Sequence, residues 1–168
     1  DRIDGGLHVD DIGLEELELV AGLHSRVRPY RKRRLEPGDE IVISHMEHHS
    51  NQTTWEECAV HVEILPRASC GRPDIDALPR ILKRHAHRPL KIGAFSACSN
   101  VTGIVTPYHE MAAIMHAHGG VCFVDFAASA PYVRIDMHPK NPAQALDAVY
   151  FSPHKFLGGP GASGVLLF

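Results

Sequence analysis

The sequence lacks the features that most directly announce a membrane, a secreted or a nucleic-acid-binding protein. No apolar run in its 168 residues approaches the roughly 18 needed to cross a bilayer. The N-terminal stretch lacks the charged-then-apolar pattern of a secretory signal. Positive charge is not in excess. Seventeen Lys and Arg against 20 Asp and Glu leave a formal net charge of −3, so neither nucleic acid nor membrane is expected as a partner. Cysteine is scarce: Cys58, Cys70, Cys98 and Cys122 lie far apart and form no CxxC pair. That spacing argues against a structural zinc site and against a disulfide framework, and a reducing, cytoplasmic setting fits best. There is no internal repeat and no low-complexity linker. The chain begins at Asp1, not methionine, and stops at Phe168 within an apolar run, so it reads as an internal piece of a longer protein.

What is present suits one ordinary domain. Hydrophobic residues make up 44% and charged residues 22%, enough for a single sizeable core. Residues 1–35 are the least regular. Leu14, Leu17, Val20 and Leu23 recur at helical spacing, and Arg26, Arg28, Arg31, Lys32, Arg33 and Arg34 follow as a basic patch, read as a solvated helix end or loop. From Pro37 the pattern sharpens. Strands are predicted at 40–44, 61–65, 90–95, 121–124, 148–151 and 164–168. Helices are predicted at 51–59, from an Asp76 cap to His85, and from a Thr106 cap to Gly119, with Met111, Ile114 and Met115 as the apolar stripe of the last. Short apolar strands alternating with helices imply an α/β fold with a mostly parallel sheet.

In such sheets, ligands bind beyond the carboxyl ends of the strands. The polar residues collect there. Strand 40–44 leads into His45, His48, His49 and Asn51; strand 90–95 into Ser96, Ser99 and Asn100; strand 121–124 into Asp125; strand 148–151 into Ser152, His154 and Lys155. Four such ends argue for one shared site. Asp125 follows four apolar residues, so its carboxylate needs a partner: an arginine, a backbone amide, or the protonated ring nitrogen of pyridoxal 5′-phosphate (PLP). Lys155 precedes Gly158, Gly159, Gly161 and Gly164, and no Lys-Ser/Thr follows the glycines, so this is no Walker A loop. Placed after a buried strand, Lys155 is expected to be partly desolvated, which lowers its pKa and favours attack on an aldehyde. Thirteen histidines are unusual, but His45, His48 and His49 lack the HExxH spacing. No metal site is expected, and stacking on a cofactor ring is the better role for one of them. His116 and His118 read as surface or helix-end residues.

Four segments, Met-Glu-His-His-Ser-Asn (46–51), Ser-Asn-Val-Thr-Gly (99–103), Val-Asp-Phe-Ala (124–127) and Ser-Pro-His-Lys-Phe-Leu-Gly-Gly-Pro-Gly (152–161), together resemble class V aminotransferase-fold enzymes. That group includes cysteine desulfurases, selenocysteine lyases and isopenicillin N epimerase-like proteins. The resemblance covers residues 36–168. It implies a three-layer α/β large domain of a fold-type I PLP-dependent enzyme, a homodimer when full length, acting on a small amino-acid substrate. It implies Lys155 as the Schiff-base lysine, Asp125 on the pyridine nitrogen, His48 stacked on the ring, Asn100 by the phenolic oxygen, and Ser152 and His154 at the phosphate. The substrate-carboxylate arginine and, in desulfurases, a nucleophilic cysteine belong to a C-terminal domain absent from the sequence. Ala128 stands where many desulfurases carry a glutamine. Sulfur removal, amino transfer, epimerisation and other lyase reactions all run on this scaffold. A non-catalytic α/β binding module and a histidine-rich metal binder are the readings from other classes.

Overall fold

The computed structural model describes residues 35–168. The helix and basic patch expected before Leu35 lie outside the described residues. Six strands form one sheet: β1 (Glu40–Ser44), β2 (His61–Leu65), β3 (Lys91–Ser96), β4 (Val121–Asp125), β5 (Ala148–Phe151) and β6 (Val165–Leu167). Their order across the sheet is β2-β1-β3-β4-β5-β6. The first five are parallel, and β6 runs antiparallel along β5. Three helices connect the parallel strands: α1 (His49–Glu56), α2 (Leu78–Arg84) and α3 (Tyr108–Ala117). Among the described residues, no helix is long and apolar enough to cross a membrane.

The central strands are apolar on both faces, and that is why they read so plainly in the sequence. Side chains alternate across a sheet with period two. Ile41, Ile43, Ile92, Ala94, Val121, Phe123 and Ala148 pack on one face with Trp55 of α1. Val42, Phe95, Cys122, Val124 and Val149 pack on the other, under Leu78, Ile81 and Leu82 of α2 and Met111 and Met115 of α3. Helices therefore cover both faces, giving the three-layer α/β architecture that parallel sheets require. Gly93 of β3 lies under the Phe95 ring and Met115, and a Cβ there would overlap Phe95.

Helix starts differ from expectation. Asp76 is not a cap: α2 begins after Ala77 without a side-chain cap, and Asp74 Oδ1 instead accepts from the Asp76 amide at 3.2 Å. Thr106 is not a cap either. Its buried hydroxyl donates to the carbonyls of Ser96 (2.8 Å) and Ala97 (3.3 Å), pinning the chain to the end of β3, and Pro107 holds the cap position. The first helix spans 49–56, shifted from the expected 51–59 because His48 caps it. Gly119 follows the α3 end with φ +69°, the left-handed geometry that lets a helix stop sharply.

Candidate active site

Strand β1 is followed by β2 on one side of the sheet and flanked by β3 on the other, so the connection direction reverses between β1 and β3. Crevices open at such reversals, outside the carboxyl ends of the strands. The register sets Ser96 of β3 beside Asp125 of β4, and Asp125 beside Tyr150 of β5. Three polar side chains thus start from adjacent strand ends.

Asp125 is 7% exposed. Its Oδ1 accepts from the Ala127 amide at 2.7 Å, so of the partners offered by the sequence the backbone amide is the one seen. Burial pushes its pKa up to about 6; the Ala127 bond opposes this, Glu47 adds to it, and Lys155 and His48 pull it back down. Lys155 and the His48 ring are thus within electrostatic reach but do not offset the loss of water.

His48 caps α1, its Nδ1 accepting from the Ser50 amide at 3.2 Å and lying 2.8 Å from Ser50 Oγ. Because Nδ1 accepts from a backbone N–H, the neutral ring carries its proton on Nε2. A cavity of about 150 Å³ joins His48 and Asp125 to Tyr150, Ser152 and His154. His154 also borders an adjoining open groove, lined by Tyr132, Lys155, Phe156 and Leu157. Lys155 ends a single 3-10 turn, Pro153–Lys155, that runs on from β5. It is exposed, not desolvated as expected, because the glycine loop folds back on Pro153 and leaves the lysine uncovered. A Cβ at Gly159 would overlap the Pro153 carbonyl oxygen, so only glycine fits that return. Asn100 sits exposed on the turn that Ser99 closes with Gly103 and does not border the cavity.

A cationic group on a ligand suits this site. Asp125, facing the cavity, is a buried carboxylate that loss of water holds above its ordinary range. A protonated pyridine nitrogen would supply such a cation. Residues 25–168 match the Aminotransferase class-V family. The chain belongs to this family. A probable cysteine desulfurase of Halalkalibacterium halodurans is 37% identical over 141 residues, 82% of this chain and 32% of that protein. A cysteine desulfurase of Pectobacterium carotovorum is 31% identical over 166 residues, 94% of this chain and 39% of that protein. The solved cysteine desulfurase CsdA of Escherichia coli superposes with a TM-score of 0.67 at 34% identity, over 79% of this chain and 32% of that one. The chain therefore spans about a third of the length of the relatives it matches.

This class V chain also carries a polar network that its sequence did not announce. Glu47 Oε2 accepts from the Ser96 amide (2.8 Å), Ser96 Oγ (2.7 Å) and Asn51 Nδ2 (2.7 Å). Its Oε1 accepts from the Ser44 amide at 3.2 Å and from the Ser44 hydroxyl. One carboxylate thereby ties the end of β1 to the end of β3. Asn51 passes the network on, donating also to the Ala94 carbonyl and accepting from Trp55 Nε1 and the Tyr150 hydroxyl. Burial raises the Tyr150 pKa well above its ordinary value, with Asp125 and Glu47 adding to the effect, so Tyr150 stays a neutral donor. The available signal was the Glu47–Asn51 spacing of four just after an apolar strand. Four residues past Asp125, the buried Ser129 hydroxyl has no hydrogen-bond partner among the described residues.

Proposed function

We propose that this chain is the cofactor-binding part of a PLP-dependent enzyme that acts on an amino-acid substrate, of the cysteine desulfurase or selenocysteine lyase type. The observation that carries the reading is Asp125: a buried carboxylate, raised to about 6, on one cavity with His48, Ser152 and His154 and within electrostatic reach of Lys155. The family match and the desulfurase relatives support it. Bound PLP would supply an electron sink for a carbanion at the substrate α-carbon.

The chain's residues divide the remaining work. Asp125 would hold the proton on the ring nitrogen, and that pairing would return the carboxylate toward its ordinary pKa. His48, fixed by Ser50, would cover one face of the ring. Ser152 and His154 would hold the phosphate; Asn100, which the resemblance sets by the phenolic oxygen, lies outside the cavity and would have to turn inward to reach it. Lys155 would be the amine that holds the aldehyde, and its free amine would move a proton at the substrate α-carbon. Glu47, Asn51 and Tyr150 keep the strand ends in register beneath these groups. Ala128, in place of a glutamine, favours a second reading in which the outcome is epimerisation or another lyase reaction. The homodimer and the cytoplasmic setting are part of the proposal; the homodimer rests on the family resemblance, the cytoplasmic setting on the spacing of Cys58, Cys70, Cys98 and Cys122.

The test is purified full-length protein with added PLP. Visible absorbance of lysine-bound cofactor, and borohydride-fixed mass on the peptide containing Lys155, are the expected results. A colourless protein with no mass on that peptide sinks the reading. Cysteine, selenocysteine and other amino acids then separate the reaction types.

A further inference from the structure

At the opposite end of the sheet from Asp125, four metal-ligating side chains converge. Glu40 and His61 are the first residues of β1 and β2 and face each other in register. Glu63 lies two residues along β2, so it shares a face with His61. His85 caps the C-terminus of α2, which packs over that face. His61 Nδ1 lies 2.8 Å from Glu40 Oε2, and His85 Nδ1 lies 3.3 Å from the same oxygen. His85 Nε2 lies 2.7 Å from Glu63 Oε2. One donor atom from each of the four falls within 4.8 Å of all the others. The Glu40 side chain is fully buried, whereas that of His61 is 44% exposed and leaves a path from solvent.

We propose that Glu40, His61, Glu63 and His85 form a binding site for a divalent transition-metal ion, with Zn²⁺ as its reference ligand. Two imidazoles with two carboxylates suit zinc, and are too nitrogen-rich for calcium or magnesium. Tetrahedral zinc bonds of ~2.0–2.1 Å place neighbouring donors roughly 3.3 Å apart. Two of the spacings above are already near that value, and Glu63, at the partly exposed edge, closes the remainder by side-chain rotation. Without metal, the imidazole N–H groups donate to the carboxylates. Metal takes the lone pair of one ring nitrogen, so the N–H proton of a neutral imidazole moves to the other ring nitrogen; only a doubly protonated imidazole must first lose a proton to solvent, which makes affinity rise with pH.

Neighbouring charge limits that affinity. Arg84 pairs with Glu63 Oε1, leaving Oε2 to the site. The Arg88 Nε lies 3.6 Å from Glu40 Oε2 and has no hydrogen-bond partner among the described residues. These two cations offset the two carboxylates, so the site binds metal less tightly than a structural zinc site does. The proposal is independent of the PLP reading, because neither its residues nor its test involves the cavity at Asp125.

The experiment is titration of chelator-stripped protein with Zn²⁺ alone at pH 7.5, followed by X-ray absorption at the zinc edge. One equivalent bound, with two imidazoles, oxygen donors and no sulfur, is expected. His61→Ala, at an exposed position, should weaken binding by at least ~30-fold, whereas the double variant His45→Ala/His49→Ala should bind as wild type. Sulfur in the coordination shell implicates the cysteines and overturns the site. So does the absence of stoichiometric binding, or loss of binding in the double variant with retention in His61→Ala. Should His61→Ala fail to fold, the wild-type absorption spectrum and Glu63→Gln decide the same question.

Discussion

Asp125→Asn should make the protein more stable at neutral pH while removing its cofactor function. Asparagine has the same shape and keeps a carbonyl oxygen for the Ala127 amide. What it removes is a buried charge without a close cation. The Asp125 pKa is about 6 in the folded protein against 3.8 for the free side chain, and at ~1.4 kcal/mol per unit the charge costs roughly 3 kcal/mol. The sign follows from the direction. A carboxyl raised on folding favours the folded state while protonated, so its contribution is full below pH 4 and is lost as pH rises through about 6. The new amide must also be accommodated, at a cost of ~1 kcal/mol, leaving a net gain of about 1–2 kcal/mol at pH 7.5. Urea unfolding of both proteins at pH 4, 5.5 and 7.5 measures this. The gap in midpoint should open with rising pH and close, with a slight reversal from the amide cost, by pH 4. PLP should then stabilise the wild type and not the variant, closing the gap from the other side. A variant less stable than wild type at pH 7.5, or a difference independent of pH, refutes the reasoning.

Three further outcomes follow from the same geometry. Glu47→Ala strands the buried donors of Ser96 and Asn51 and should cost ~2–4 kcal/mol in urea unfolding; a loss under ~1 kcal/mol would mean water replaces the carboxylate. Lys155→Ala should shift stability by less than ~0.5 kcal/mol, because the side chain is exposed, yet abolish borohydride-fixed PLP; retained attachment would move the aldehyde to another amine. Gly159→Ala forces the loop off Pro153 and should weaken PLP uptake at least ~10-fold by absorbance titration, while the thermal midpoint of the sheet changes little; normal uptake would detach the loop from the site.

The strands were legible because the sheet is covered on both faces. Residues such as Ile41–Ile43 and Val121–Val124 form short unbroken apolar runs with turn signals at either end. Helix starts were not, because the decisive contacts are tertiary. Thr106 has the chemistry of a cap, but the end of β3 lies close enough to take its hydroxyl for two carbonyls. The strand-end groups Asp125, His48, Ser152 and His154 were visible as a set, since each directly follows a strand or caps the helix after one. The network beneath them was hidden: Asn51 and Tyr150 are 99 residues apart, and only the register of β5 on β4 brings the tyrosine hydroxyl over α1. The exposure of Lys155 was hidden for a related reason, because where the glycine loop folds depends on a close approach to Pro153 that spacing does not encode.

Asp125 and Glu40 are both buried carboxylates at strand ends, and their surroundings separate two kinds of site. Glu40, 0% exposed, is surrounded by groups that can carry positive charge: His61, His85 and Arg88 all lie within 3.6 Å of its oxygens. Folding brings its compensation with it, so a metal ion there competes with partners already in place and gains only a difference. Asp125 has one backbone amide, with Lys155 and His48 within electrostatic reach, and its raised pKa records the loss of water that these do not offset. A cation arriving there meets no competitor and recovers the whole penalty as binding energy. That asymmetry is why the carboxyl end of the sheet suits a resident cofactor and the amino end suits an exchangeable ion. Asp125→Asn should therefore raise stability, whereas Glu40→Gln should lower it, since the latter strips a partner from three basic groups at once.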